Sequence, residues 1–158
     1  MPSQVLSEQD SATTAFGRFV RAHAALTRRL SGLLLERHGL TLNDFEVLLH
    51  LAHAPDRRLR RVDLADRVVL TPSGITRLLD GLERAGLVAR AECAADRRVV
   101  YAELTDEGLR RFEESRTTHR NAIRTLFAAS FRPEEIQTLG ELLGRLPGAG
   151  GDVGACDA

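Results

Sequence analysis

A mainly α-helical chain with one small β-hairpin is predicted by three features of the sequence. Apolar residues recur at helical spacing over most of the chain. Two short β-prone runs, Leu87 to Glu92 and Val99 to Leu104, stand either side of a charged stretch, and Gly, Pro or Thr marks most element boundaries. The 158 residues suit a single ordinary domain, and 43% hydrophobic residues suffice for a core. With only 4% aromatic residues and no Trp, that core is aliphatic, and platforms of stacked rings for single-stranded nucleic acid are disfavoured.

The first helix is expected from about Ala12 to Arg37, where Phe16, Phe19, Val20, Leu26, Leu30, Leu33 and Leu34 share a stripe that Gly39 ends. Thr41 is an N-cap with Asp44 three positions on, opening a second helix on Phe45, Leu48, Leu49 and Ala52 that stops before Pro55. Val62 to Val69 form a short amphipathic helix on Leu64, Ala65 and Val68. Thr71 caps the next, with Pro72 in its first turn where a missing N–H costs nothing, and Ile75, Leu78, Leu79 and Leu82 as its apolar face up to Gly86. After the hairpin, Thr105 with Asp106 and Glu107 opens a long helix carrying Leu109, Phe112, Ile123, Leu126 and Phe127. Pro133, Glu134 and Glu135 open the last, on Ile136, Leu139, Leu142, Leu143 and Leu146, and a Gly-rich tail follows Pro147. Four regions result: 12–55, 56–104, 105–147 and a flexible tail, 148–158.

The formal net charge is zero. Its distribution is uneven, because Arg57 to Arg98 holds ten Arg against six acids and is +4. Lys is absent, and Arg is the side chain whose planar fork pairs with phosphate or guanine.

Two short helices joined by a tight turn, the second with small and polar residues near its start, match a helix-turn-helix reader of the DNA major groove. Ser73 and Gly74 permit close backbone approach, the helix N-terminus behind Thr71 and Pro72 favours a phosphate, and Thr76 and Arg77 can reach base edges. Arg84 and Arg90 are placed for phosphate, and Arg60 and Arg61 precede the short helix. The hairpin adds a basic finger, the wing, in which Asp96 can orient Arg98 beside Arg97 toward a narrow minor groove.

From Leu64 to Gly108 the chain resembles the MarR family of bacterial regulators, carrying that family's D-x-R and LT-x-x-G pattern as Asp96, Arg98, Leu104, Thr105 and Gly108. It departs from the family at Arg60 and Arg132, which stand where relatives commonly place a helix cap. The resemblance implies a winged helix-turn-helix homodimer whose first and last helices interlock. It also implies a repressor that occupies a palindromic operator in double-stranded DNA and responds to a small-molecule effector. The effector pocket of the family lies between the dimer helices and the DNA-binding lobe, which makes Arg21, His23, His50, His53 and His119 the candidate lining.

No enzyme motif occurs: neither a nucleophile elbow, a phosphate-cradling glycine loop nor a His-x-x-x-His pair. His50 and His53 have ligand spacing but no local third ligand, so no metal and no cofactor are expected. Cys93 and Cys156 are isolated thiols, and Cys93 reads as an inert strand residue. The start has no signal-like pattern and no stretch nears the roughly 20 apolar residues of a membrane span, which predicts a cytoplasmic protein without membrane contact. The rival reading is a winged helix that binds only protein, which would leave a duplex from the gene's own upstream region unshifted in a gel.

Overall fold

The computed structural model describes residues 3–92 and 99–148. Helix α1 (Ser3–His38) leads to α2 (Leu42–Ala52), a single 3-10 turn (Pro55–Arg57), strand β1 (Arg58–Arg60) and helices α3 (Arg61–Arg67) and α4 (Pro72–Arg84). Strands β2 (Val88–Glu92) and β3 (Val100–Leu104) then precede α5 (Asp106–Ala128) and α6 (Pro133–Leu143). The mainly helical class with a small hairpin is thus observed.

The sheet has the order β1-β3-β2, antiparallel throughout. Strand β1 is the element that sequence reading misses. Its Arg58, Leu59 and Arg60 pair with Glu103, Ala102 and Tyr101, but three residues are too few for an alternating pattern to register. Arg58 lies over the Tyr101 ring at 4.4 Å, which secures this edge with a cation–π contact.

Besides α6, which ends at Leu143 short of Leu146, two helix boundaries shift for local reasons. α1 begins at Ser3 rather than near Ala12, since nothing from Ser3 onward breaks a helix even though the apolar stripe has not started. α3 ends at Arg67 rather than Val69, because Val69 adopts φ 55 and leaves the helical region.

The capping residues do what their chemistry allows. The Thr41 hydroxyl accepts from Asp44 N at 3.2 Å while the Asp44 carboxylate accepts from Thr41 N at 2.8 Å, closing a reciprocal box. Thr71 and Thr105 accept from Gly74 N and Gly108 N in the same way. Arg132 has no side-chain oxygen to offer, and there the Glu135 carboxylate accepts from Arg132 N at 2.9 Å instead. Arg60, equally unable to cap, is held by Asp63 through bonds of 2.7 and 2.8 Å.

One core joins the helices to the sheet. Leu34, Phe45, Val47, Leu48, Leu51 and Leu64 are fully enclosed and pack with Ile75, Leu79, Leu82, Ala102 and Phe112. Phe45 sits at its centre, 5.6 Å from the Phe112 ring and 4.4 Å from the His119 ring. Arg111 donates to the His38 carbonyl at 2.8 Å and His38 Nε2 meets Thr118 Oγ1 at 2.8 Å, which ties α1 to α5. The outer part of α1 and the last helical region remain uncovered: Phe16 is 68% exposed, and Phe19, Val20, Phe131, Leu142 and Leu146 also face solvent.

Candidate nucleic-acid interface

Helix α4 divides cleanly into an inner and an outer face. Ile75, Leu79 and Leu82 are buried, so Ser73, Arg77 and Arg84 stand on the outside, all three exposed. The Thr71 cap satisfies Gly74 N at 3.1 Å, and Pro72 has no N–H. The first turn of α4 therefore ends in a compact, exposed surface made of Thr71, Pro72 and Ser73, with Gly74 half-buried behind it.

Electrostatics sharpen this surface. Asp80 and Glu83, the two acids of α4, are engaged by Arg90 from β2 at 3.6 and 3.5 Å. Their negative charge is screened where a polyanion would approach, while Arg77 has no ion-pair partner among the described residues. Arg84, also exposed, donates from Nε to the Asp80 carbonyl at 3.1 Å. Arg61, at the start of α3, donates through Nη2 to the Thr76 hydroxyl. That hydroxyl in turn donates to the Pro72 carbonyl at 2.8 Å, so its own proton is committed within the helix. Neither the screening role of Arg90 nor the Arg61–Thr76 link is visible in sequence, since each joins residues on different elements.

A groove of about 450 Å³ separates α3 and α4 from the start of β3, with Val62, Ala65, Ile75, Val99 and Val100 on its walls and Arg61 at its rim. The predicted wing residues Asp96, Arg97 and Arg98, together with Cys93, lie outside the described residues.

The candidate effector residues differ in element and in exposure. His119 is buried on α5 against Phe45. His53 is exposed, edge-on to Phe112 at 6.0 Å, with Nδ1 on the Leu49 carbonyl at 2.9 Å. His50 is half-buried on α2, whereas Arg21 and His23 are exposed on α1, His23 being 6.4 Å from the Phe19 ring. His23 nonetheless acts on α2, since its charge partly offsets the burial that raises the Glu46 carboxyl above its ordinary range.

Burial pushes the His119 imidazole below its ordinary pKa, and burial with the charges of Arg67 and His53 does the same to His50. Both groups bind protons more readily in the unfolded chain, so their contribution to stability is full above the ordinary histidine value of about 6.5 and falls as pH drops through it. Glu46 works in the opposite sense, its contribution being present below about pH 4.3 and lost as pH rises through its raised folded value. His119→Gln is therefore expected to lose less stability than wild type, by urea midpoint, between pH 7.5 and 5.5, a difference in which the Glu46 contribution cancels. A variant with the wild-type pH dependence would show that His119 titrates alike in both states.

Comparison with known proteins agrees with this architecture. The model of the MarR family matches residues 38–99. The transcriptional repressor YetL of Bacillus subtilis is 38% identical over 68% of this chain and 66% of its own length. The homoprotocatechuate degradative operon repressor of Escherichia coli is 33% identical over 70% of this chain and 72% of its own. Among solved structures, Sco3205, a MarR family transcriptional regulator from Streptomyces coelicolor in complex with DNA, superposes with a TM-score of 0.76 at 30% identity, covering 82% of this chain and 81% of that one. These relatives are regulators rather than enzymes, and no described helix here is long and apolar enough to cross a membrane. Fold, helix pair and sequence relationship together place this chain in the MarR family of winged helix-turn-helix transcriptional regulators.

Proposed function

We propose that the protein is a homodimeric repressor that reads a palindromic operator in double-stranded DNA and releases it when a small molecule binds. The observation that carries this reading is the outer face of α4, where Thr71, Pro72, Ser73 and Arg77 are exposed and the helix's two acids are both paired with Arg90. Arg77, Arg84 and Arg90 outnumber Asp80 and Glu83 on this face, which lets it approach the phosphates of a groove, and the Arg77 fork, without an ion-pair partner among the described residues, suits the two acceptors of guanine. The DNA complex of Sco3205 and the repressor role of YetL support the same assignment.

Dimerisation is supported by the uncovered apolar side chains of α1 and of the region around α6, Phe16, Phe19, Phe131 and Leu142 among them, more than a small monomer leaves in water. In this reading 12–55 and 105–147 supply the dimer helices, 56–104 the DNA-binding lobe and 148–158 a tail. Arg60, Arg61, Gly74, Thr76, Arg84 and Arg90 serve the surface around the reading helix. Asp96, Arg97 and Arg98 are assigned to the wing on sequence alone. Arg21, His23, His50 and His53 remain the proposed effector lining, with His119 reached only where its stack on Phe45 opens.

Arg77→Ala is expected to weaken binding to an operator by about 1 to 3 kcal/mol and to relax sequence preference. The measurement is fluorescence anisotropy on the operator and on a scrambled duplex, with sedimentation equilibrium on the same samples. An equal loss on both duplexes would remove the base-reading role of Arg77. A folded monomer at micromolar concentration would remove the dimer.

A further inference from the structure

The turn between α3 and α4 contains a residue that local energetics disfavour twice. Val69 has φ 55, in the left-handed region where a side chain crowds the neighbouring carbonyl and a β-branched residue is a true outlier. Its side chain is also 89% exposed, so burial recovers none of that cost. The turn itself imposes the conformation. Val68 N donates to the Leu64 carbonyl at 3.0 Å and Leu70 N to the Ala65 carbonyl at 2.9 Å, which closes α3 just before α4 begins. Glycine would meet this backbone requirement without strain. The isopropyl group of Val69 therefore serves something other than the fold of the isolated chain, and backbone outliers of this kind concentrate where a side chain is used.

Position says what that use is. Val69 stands two residues before the Thr71 cap of α4, and after the half-buried Leu70 come the exposed Thr71, Pro72 and Ser73. We propose that Val69 is a specificity-determining residue of the DNA-reading surface, its isopropyl group packing on the C5-methyl of a thymine at the edge of the major groove. The inference rests on the assignment of α4 as the reading helix. Thymine alone among the four bases carries an apolar group in the major groove, and an aliphatic side chain is the complement that recognises it. Arg77 and Val69 would then divide the work, one reading acceptors and the other a methyl group.

The test uses the duplex that the wild-type protein enriches from a randomised pool, with each thymine replaced singly by deoxyuridine so that only the methyl group is lost. Wild-type protein is expected to lose about three- to fivefold in affinity at one thymine per half-site, the scale of a single buried methyl. Val69→Gly is expected to bind the unmodified duplex as weakly as wild type binds that deoxyuridine duplex. It should show no further loss at the same position, while its Tm rises by a few degrees as the strain is relieved. Val69→Ala keeps the Cβ and hence part of the strain but lacks both methyls, so it should share the DNA profile of Val69→Gly with a smaller rise in Tm. Wild-type affinity and an unchanged deoxyuridine profile in both variants would overturn the proposal. An equal loss on enriched and scrambled duplexes would overturn it too, placing the valine against the sugar-phosphate wall. Those results leave α4 as the reading helix, whereas failure of the wild type to enrich any duplex would remove that assignment and Val69 with it.

Discussion

Gly108→Ala is expected to destabilise the protein by roughly 3 kcal/mol, the upper part of the range for overpacking a filled core. A Cβ at this position would lie 2.0 Å from the Leu87 carbonyl oxygen and 2.7 Å from Leu104 Cδ1. The side chain of Leu104 can rotate; the carbonyl cannot move freely. It accepts from Thr105 N at 3.1 Å, and the Thr105 hydroxyl lies 3.1 Å from it while donating at 2.7 Å to the adjoining Gly86 carbonyl, so displacing it breaks the backbone bond that joins β2 to α5 and disturbs the seat of Thr105. The Thr105 hydroxyl also caps Gly108 N at 2.9 Å, which means that the same shift loosens the start of α5. Urea denaturation measures the loss. Gly81→Ala is the control, since a Cβ there meets nothing within 4 Å, and it should stabilise by about 0.5 to 1 kcal/mol as alanine replaces glycine inside a helix. Equal midpoints for wild type and Gly108→Ala would mean that α5 is not seated against Leu87.

Phe45→Ala should cost about 3 to 5 kcal/mol, the usual range for emptying a buried aromatic site. Phe45 is 1% exposed and its ring touches both Phe112 and His119, so truncation removes packing between α2 and α5. Helix α2 stands between the long helices and the α3–α4 pair, sharing the core with Leu34 on one side and Leu64 on the other. Phe45→Leu, which keeps most of the volume and loses the ring contacts, should cost clearly less. The check is equilibrium unfolding at pH 7.5, where His119 is neutral. A cost for Phe45→Ala below about 2 kcal/mol would indicate that the site collapses around the gap. That would displace Phe45 from the centre of the core.

Much of this structure was legible in the residues because its signals are local. The stripe Ile75, Leu79 and Leu82 and the caps Thr41, Thr71 and Thr105 each act within one or two helical turns, and the helices start where those residues say. Gly86 likewise takes φ 73 where α4 stops. The outer residues of α4 follow from the same periodicity, since a buried stripe on one side leaves Ser73, Arg77 and Arg84 on the other.

What the tertiary structure alone decided involves residues far apart in sequence or a backbone angle imposed from outside. Strand β1 exists because β3 offers Tyr101 to Glu103 as a pairing edge, and nothing within Arg58–Arg60 demands it. Arg90 screens Asp80 and Glu83 only because β2 folds back along α4. Arg61 reaches Thr76 across a helix pair. Of the five residues read together from sequence as an effector lining, Arg21 and His23 fall on α1, His50 on α2, His53 just beyond its end and His119 on α5, and of these His119 alone is buried. Gly108 of the LT-x-x-G pattern is required by a carbonyl that lies 21 positions earlier in the chain, at Leu87. Val69, in the same way, takes a glycine-like angle because Leu64 and Ala65 must close their bonds before α4 can start. Periodicity and capping are written in neighbouring residues, whereas close approach, charge pairing across elements and forced dihedrals appear only once the chain has packed.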